Sequence, residues 1–270
     1  MEAQSGGKFA IGNMPMESNG TEFPAAGEPL SRAARRSMAT DWRSRAASSV
    51  RAPTVALSAS FLIVGFAVIV SGFSRQVLMP GGLTLSTAIL WVGLVVATMI
   101  MFRQSRRPGL FAFQPTDAVF GLAVGLGLRL TQGLLSNSKE LPFPTSDTGQ
   151  ILAGDYTASL WLGLGGLVGA SIEELFFRAV VLVWIYQALR RRRGAWLAGS
   201  VAATVSALSF TLLHAIYGVS ELDASVQLLI VGILCGLLVL ATGRFWGAVI
   251  AHATYNMSYV ALAVLGSLLA

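Results

Sequence analysis

The chain has 270 residues, 54% of them hydrophobic and only 12% charged, and a mean hydropathy of +0.67, which excludes an ordinary soluble domain, since that would need more charge to cover its surface. The formal net charge is +6, but the arginines cluster between apolar runs without the interleaved aromatics of a base-stacking groove, so they set membrane topology and imply no nucleic-acid partner. Cys235 is the only cysteine, which excludes an internal disulfide framework and a multi-cysteine metal site.

In chain order, residues 1–52 read as a separate basic, disordered, cytoplasmic region. They mix Gly, Ser, Pro, Ala and Glu with few large apolar side chains and cannot bury enough surface to fold alone. The stretch from Ser31 to Arg51, with Arg32, Arg35, Arg36, Arg43 and Arg45, is either part of a disordered tail or a basic amphipathic helix on anionic lipid. The first apolar run starts too late for a signal peptide, and Glu2, Glu17, Glu22 and Glu28 argue against a transit peptide. A transmembrane domain is expected over 53–270, with spans at roughly 54–73, 84–102, 117–135, 157–189, 195–216, 225–242 and 246–269. The fold class is therefore all-α, a polytopic helix bundle of about seven to eight spans. The fourth run is too long for an upright span and must tilt or emerge from the bilayer.

Loop charges orient the spans. If seven spans alternate, the N-terminal arginines, Arg103, Arg106 and Arg107, Arg190 to Arg193, and Arg244 fall on one side. The loops around Glu140, Asp147 and Asp155, and around Glu221 and Asp223, fall on the other. The positive-inside rule then places the amino terminus in the cytoplasm, with Arg75 as the exception.

Charge inside a span is expensive, at least ~2.5–3.5 kcal/mol on insertion scales, so each such residue needs a reason. The fourth span holds Glu173, Glu174 and Arg178. Glu174 and Arg178 are four apart and can pair on one face, whereas Glu173 is turned by ~100° and lacks that partner. The chain's only two histidines, His214 and His252, both lie in apolar runs. Phe210 shares a face with His214, where it can orient or shield the imidazole, and Asn256 shares a face with His252. Either histidine alone could be a simple interhelical hydrogen-bonding residue. One unpaired glutamate, two histidines and an asparagine on three spans are what water activation inside a membrane requires. Arg129, in the third span, is expected to snorkel or to pair with a neighbour, with a role in substrate binding as the lesser alternative.

Glu-Glu-x-x-x-Arg at 173–178, Phe-x-x-x-His at 210–214 and His-x-x-x-Asn at 252–256, in that order on successive apolar spans, resemble the three motifs of the CPBP family of CAAX proteases and bacteriocin-processing enzymes, also called the Abi or type II CAAX endopeptidase family. The resemblance covers roughly 157–260. It implies an intramembrane endopeptidase whose relatives remove the last three residues of isoprenylated CaaX tails, process bacteriocins or other peptides, or confer immunity. Carried over by motif, Glu173 would be the catalytic carboxylate, His214 would help hold the water, and His252 and Asn256 would bind the oxyanion. Glu174, Arg178 and Phe210 would support the site.

We expect hydrolysis by Glu173-activated water without a cofactor. The alternative is zinc on Glu173, His214 and His252, a respectable donor set. Against zinc, His-Glu-x-x-His is absent, and Asn256 below His252 fits an oxyanion better than a metal. A proton-relaying transporter would show coupled flux without cleavage, and a non-catalytic binding or immunity protein would tolerate Glu173→Gln. Alternation places His214 near the outer end of its span and His252 nearer the cytoplasmic end, so helices must tilt or break to bring them together. Richness in Ala, Gly and Arg with short loops suggests a bacterial inner membrane. The expected partners are the lipid bilayer and a membrane-embedded or lipidated peptide or protein substrate.

Overall fold

The computed structural model describes residues 41–44, 54–77, 82–104, 107–136, 163–217, 219 and 221–269. Among these, seven helices and no strand are present: α1 Thr54–Val77, α2 Gly82–Gln104, α3 Pro115–Leu135, α4 163–193, α5 Ala195–Ile216, α6 Leu222–Thr242 and α7 Trp246–Leu269. Six are long and apolar enough to cross a membrane, and the seventh, α4, carries Glu173, Glu174 and Arg178. Most of the N-terminal region and the loop holding Glu140, Asp147 and Asp155 lie outside the described residues.

Helix ends follow local chemistry. The fifth and seventh helices begin and end where the apolar runs do. The first runs past residue 73 to Val77 because Arg75 stays helical and donates from Nη1 to the Tyr217 carbonyl at the end of α5, at 2.8 Å. That contact supplies a cation to a helix C-terminus and accounts for the one arginine out of place in the charge pattern. The fourth helix continues through Arg190–Arg193 and stops at Gly194, whose φ of 82° suits glycine.

The first two helices pair as a hairpin, α3 lies along α7, and α4 sits centrally against α2, α5, α6 and α7. Large apolar side chains point outward, as with Leu62, Phe66 and Ile69 on α1 and Leu130 and Leu134 on α3. The inner seams use small residues, as membrane helices do when lipid is as apolar as their own side chains. A Cβ on Gly232 would lie 2.8 Å from the Ala207 Cα, so α5 and α6 touch nearly backbone to backbone. Likewise a Cβ on Gly125 would lie 2.6 Å from the Ala251 carbonyl oxygen.

Two stretches of α4 are π-helix, Gly165–Gly169 and Phe177–Leu182, flanking the α-helical turns Ala170–Phe176 that carry both glutamates. Each π turn leaves carbonyls off the usual ladder, and in a membrane these need partners. Ser206 of α5, fully buried, donates to the Phe177 carbonyl at 2.8 Å.

Arginines gather at one pole, where a short N-terminal segment completes the bundle. Trp42 has no exposed surface; its indole Nε1–H donates to the Gly243 carbonyl at 2.7 Å, and its backbone N–H donates to the Pro108 carbonyl at 3.1 Å. Arg43 donates to the Leu240 and Ala241 carbonyls at 2.9 and 2.6 Å, covering the C-terminus of α6 while paired with Asp41. Gln187 of α4 donates to the Trp42 carbonyl at 3.2 Å. Gly199, one turn into α5, faces Leu240.

Gly125→Ala is expected to destabilise the protein by about 1–3 kcal/mol through overpacking. Gly127→Ala on the same helix, where an added Cβ meets nothing within 4 Å, should stay within about 0.5 kcal/mol. Thermal unfolding in detergent compares the two.

Candidate active site

Glu173, His214 and His252 come from α4, α5 and α7 and meet at one point. The Oε2 of Glu173 lies 3.9 Å from Nε2 of His214 and 3.9 Å from Nε2 of His252. Glu173 retains 15% side-chain exposure, and His252 only 4%. A separation of 3.9 Å is too long for a direct hydrogen bond but is one a bridging water can span.

The far nitrogens of both rings are committed. Nδ1 of His214 lies 3.0 Å from the Phe210 carbonyl oxygen, one turn back. A carbonyl can only accept, so Nδ1 carries a proton and Nε2 is the ring nitrogen turned toward Glu173. Nδ1 of His252 lies 3.0 Å from Oε1 of Glu174, so the same assignment holds against a carboxylate. The two adjacent glutamates, although turned ~100° apart, therefore address opposite ends of one imidazole.

Glu174 is fully buried and also faces Arg178, whose Nε lies 3.0 Å from Oε2. That contact is ionic, without the alignment of a hydrogen bond. Arg178, also fully buried, donates from Nη2 to the Gly232 carbonyl at 3.3 Å. Its guanidinium lies over the Phe210 ring, 5.0 Å from the centroid. Phe210 is the packing centre of the site, with ring centroids 4.4 Å from His214, 5.5 Å from His252 and 5.4 Å from Phe177. Its ring shields both imidazoles, and its carbonyl fixes one of them.

Asn256 stands one turn above His252 on α7, with Nδ2 donating to the Gly166 carbonyl at the limit of hydrogen bonding, 3.5 Å. Gly166 belongs to the first π stretch, and a Cβ there would strike the Met257 sulfur at 2.9 Å. The π turns, the Ser206 contact and the Gly166 carbonyl had no clear sequence signal beyond the glycines at 165, 166 and 169. Arg129 pairs with neighbours, donating to Ser258 Oγ at 3.1 Å, to Gln132 and to the Tyr255 carbonyl.

The donor set suits zinc by type, since a histidine ligand commonly donates its second N–H to a carboxylate or carbonyl. Its spacing suits zinc less well. Tetrahedral bonds of about 2.0–2.1 Å put donors about 3.3–3.4 Å apart, against 3.9 Å for both Oε2–Nε2 distances here. Among the described residues no three His, Cys, Asp or Glu side chains are arranged to hold a metal ion. Zinc would require these side chains to draw together by about half an ångström.

Residues 156–258 match the family model described as Type II CAAX prenyl endopeptidase Rce1-like, the same family that the three motifs resemble. The matched segment contains Glu173, His214, His252 and Asn256. No curated protein and no solved structure matches the chain. The match and the apolar helices together support an integral, multi-pass membrane protein of the intramembrane protease kind.

The two glutamates should separate in a stability measurement. Glu174→Gln leaves Arg178 charged and uncompensated in the core, which costs about 3–5 kcal/mol. Glu173→Gln removes no ion pair with an arginine and should shift unfolding by less than about 1 kcal/mol. Thermal unfolding of the two purified variants tests the difference.

Proposed function

We propose that the protein is an intramembrane endopeptidase that hydrolyses a peptide bond of a membrane-embedded or lipidated peptide or protein, using water activated by Glu173. The observation that carries this reading is the convergence of Glu173 Oε2 with the Nε2 atoms of His214 and His252, each at 3.9 Å, while both Nδ1 atoms face acceptors of their own.

A carboxylate oxygen and two imidazole Nε2 atoms facing one point are held together by protons between them. A water supplies two, one to Glu173 and one to Nε2 of His214, which holds the oxygen lone pair toward the substrate. One further proton completes the set. On His252 it would leave Nδ1–H on Glu174 and offer Nε2–H to the carbonyl oxygen of the scissile bond, following the logic by which a buried carboxylate holds a catalytic imidazole. In the attack the water oxygen bonds to the carbonyl carbon and its proton passes to Glu173. The tetrahedral oxyanion takes hydrogen bonds from His252 Nε2–H and from Asn256 Nδ2, whose weak contact with Gly166 is easily exchanged. Collapse breaks the C–N bond as Glu173 returns the proton to the departing amine. The steps balance and use no cofactor.

The proposal places the arginine-rich pole in the cytoplasm, by the positive-inside rule, in a bacterial inner membrane. The substrate is then a membrane-associated peptide or small protein. The zinc alternative keeps one supporting feature, the anchored Nδ1 atoms.

With a panel of prenylated tails and bacteriocin leaders, Glu173→Gln should lower hydrolysis on the order of 10²-fold or more. Asn256→Ala should lower kcat by about 10²–10³, and chelator should have no effect. Full cleavage by folded Glu173→Gln removes this glutamate from the chemistry, and chelator inhibition reversed by zinc favours the metal mechanism.

A further inference from the structure

The two histidines are fixed by different means. Nδ1 of His252 is bonded to Glu174 on another helix, α4, so that ring is held directly against the element that carries both glutamates. Nδ1 of His214 is bonded to the Phe210 carbonyl on its own helix. That contact orients the ring on α5 but does not fix where the last turn of α5 lies. Nε2 of His214 stands 3.9 Å from Glu173 Oε2, a gap for one water, and a misplacement of about 1 Å can cost on the order of 10²-fold in rate. Helix ends open easily unless groups outside the helix tie them down. His214 lies in the last turn of α5, which ends at Ile216.

Among the described residues, the hydrogen bonds that tie this last turn to other helices are made by Tyr217. Its hydroxyl donates to Ser71 Oγ on α1 at 2.5 Å, and Ser71 Oγ donates in turn to the Ser86 carbonyl on α2 at 2.7 Å. Arg75 Nη1 donates to the Tyr217 carbonyl at 2.8 Å. Ser71, fully buried, and Arg75 are four residues apart and share one face of α1, so a single residue of α5 is held at its phenol and at its backbone. The hold reaches His214 through the main chain: the N–H groups of Tyr217 and Val219 both donate to the His214 carbonyl, at 3.0 and 3.1 Å. The α1–α2 hairpin lies outside residues 156–258, the segment that the family model matches, and Tyr217, Ser71 and Arg75 belong to none of the three motifs.

We infer that Tyr217 is a positioning residue for His214: its hydroxyl on Ser71 makes the α1–α2 hairpin the support that holds this imidazole at its distance from Glu173. The consequence for rate rests on the peptidase reading above, whereas the consequence for the ring is read without any substrate.

Tyr217→Phe removes one hydroxyl, and Ser71→Ala removes its acceptor. With ¹⁵N-labelled histidine, each variant should displace or broaden the His214 signals and leave those of His252 in place. The double variant should add nothing to either single one, as befits the two ends of one bond. Arg75→Gln, which loses only an exposed contact, should move His214 in the same direction by less, and it carries the test should the buried variants fail to fold. Gly125→Ala, which strains a different seam, should leave His214 unmoved. Hydrolysis by Tyr217→Phe should fall on the order of tenfold in kcat with KM little changed. Unmoved His214 signals, or equal disturbance of both histidines, overturn the inference. If His214 alone moves while wild type cleaves no peptide, the positioning role stands and the peptidase reading fails.

Discussion

Glu174 is a carboxylate with no exposed surface, held between the Arg178 guanidinium on its own helix and the His252 imidazole on another. Burying a carboxylate inside a membrane bundle is costly, and the cost is tolerable only because both oxygens face cationic or N–H partners. The orientation of the site follows from this contact. With Nδ1 of His252 fixed on Glu174, Nε2 must turn toward Glu173. With Arg178 fixed on Glu174 and Gly232, its flat face covers Phe210, and the Phe210 carbonyl then holds His214. One ion pair on α4 thus positions side chains from α5 and α7.

The backbone makes room for this arrangement. An unbroken α-helix through 163–193 would present its side chains at a steady 100° per residue. The two π stretches shift that phase on either side of the glutamates, and π turns inside α-helices recur at functional sites for this reason. The freed Phe177 carbonyl is taken by Ser206, and the Gly166 carbonyl is offered to Asn256. Glycines and alanines on the facing helices allow the close approach that lets short side chains complete these contacts. Packing and chemistry therefore draw on the same small residues.

Much of this was legible in the sequence, for identifiable reasons. The seven helices follow from the lengths of the apolar runs, and the Glu174–Arg178 pair from its four-residue spacing. Glu173, His214, His252 and Asn256 stood out because each is costly where it lies. Spacing could not show that Glu174 reaches across to His252, because contacts between helices have no sequence period. The π turns escaped notice because a sequence of Gly, Leu and Val reads equally as α-helix. Trp42 lies in a polar segment that shows no apolar run, yet it packs with no exposed surface. Arg129 stands out as an intramembrane charge, but its contacts with Tyr255, Ser258 and Tyr259 across the α3–α7 seam have no sequence period.

His214 and His252 turn Nε2 toward Glu173 because their Nδ1–H groups are held by the Phe210 carbonyl and by Glu174. The chain has only two histidines, so ¹⁵N-labelled histidine gives a spectrum with two rings to assign. The account predicts that Nδ1 is protonated in both, whatever the state of Nε2, and that Glu174→Gln disturbs His252 and leaves His214 in place. A ring found with its proton on Nε2 and a bare Nδ1 would contradict it, since that ring could not keep the contact that orients it.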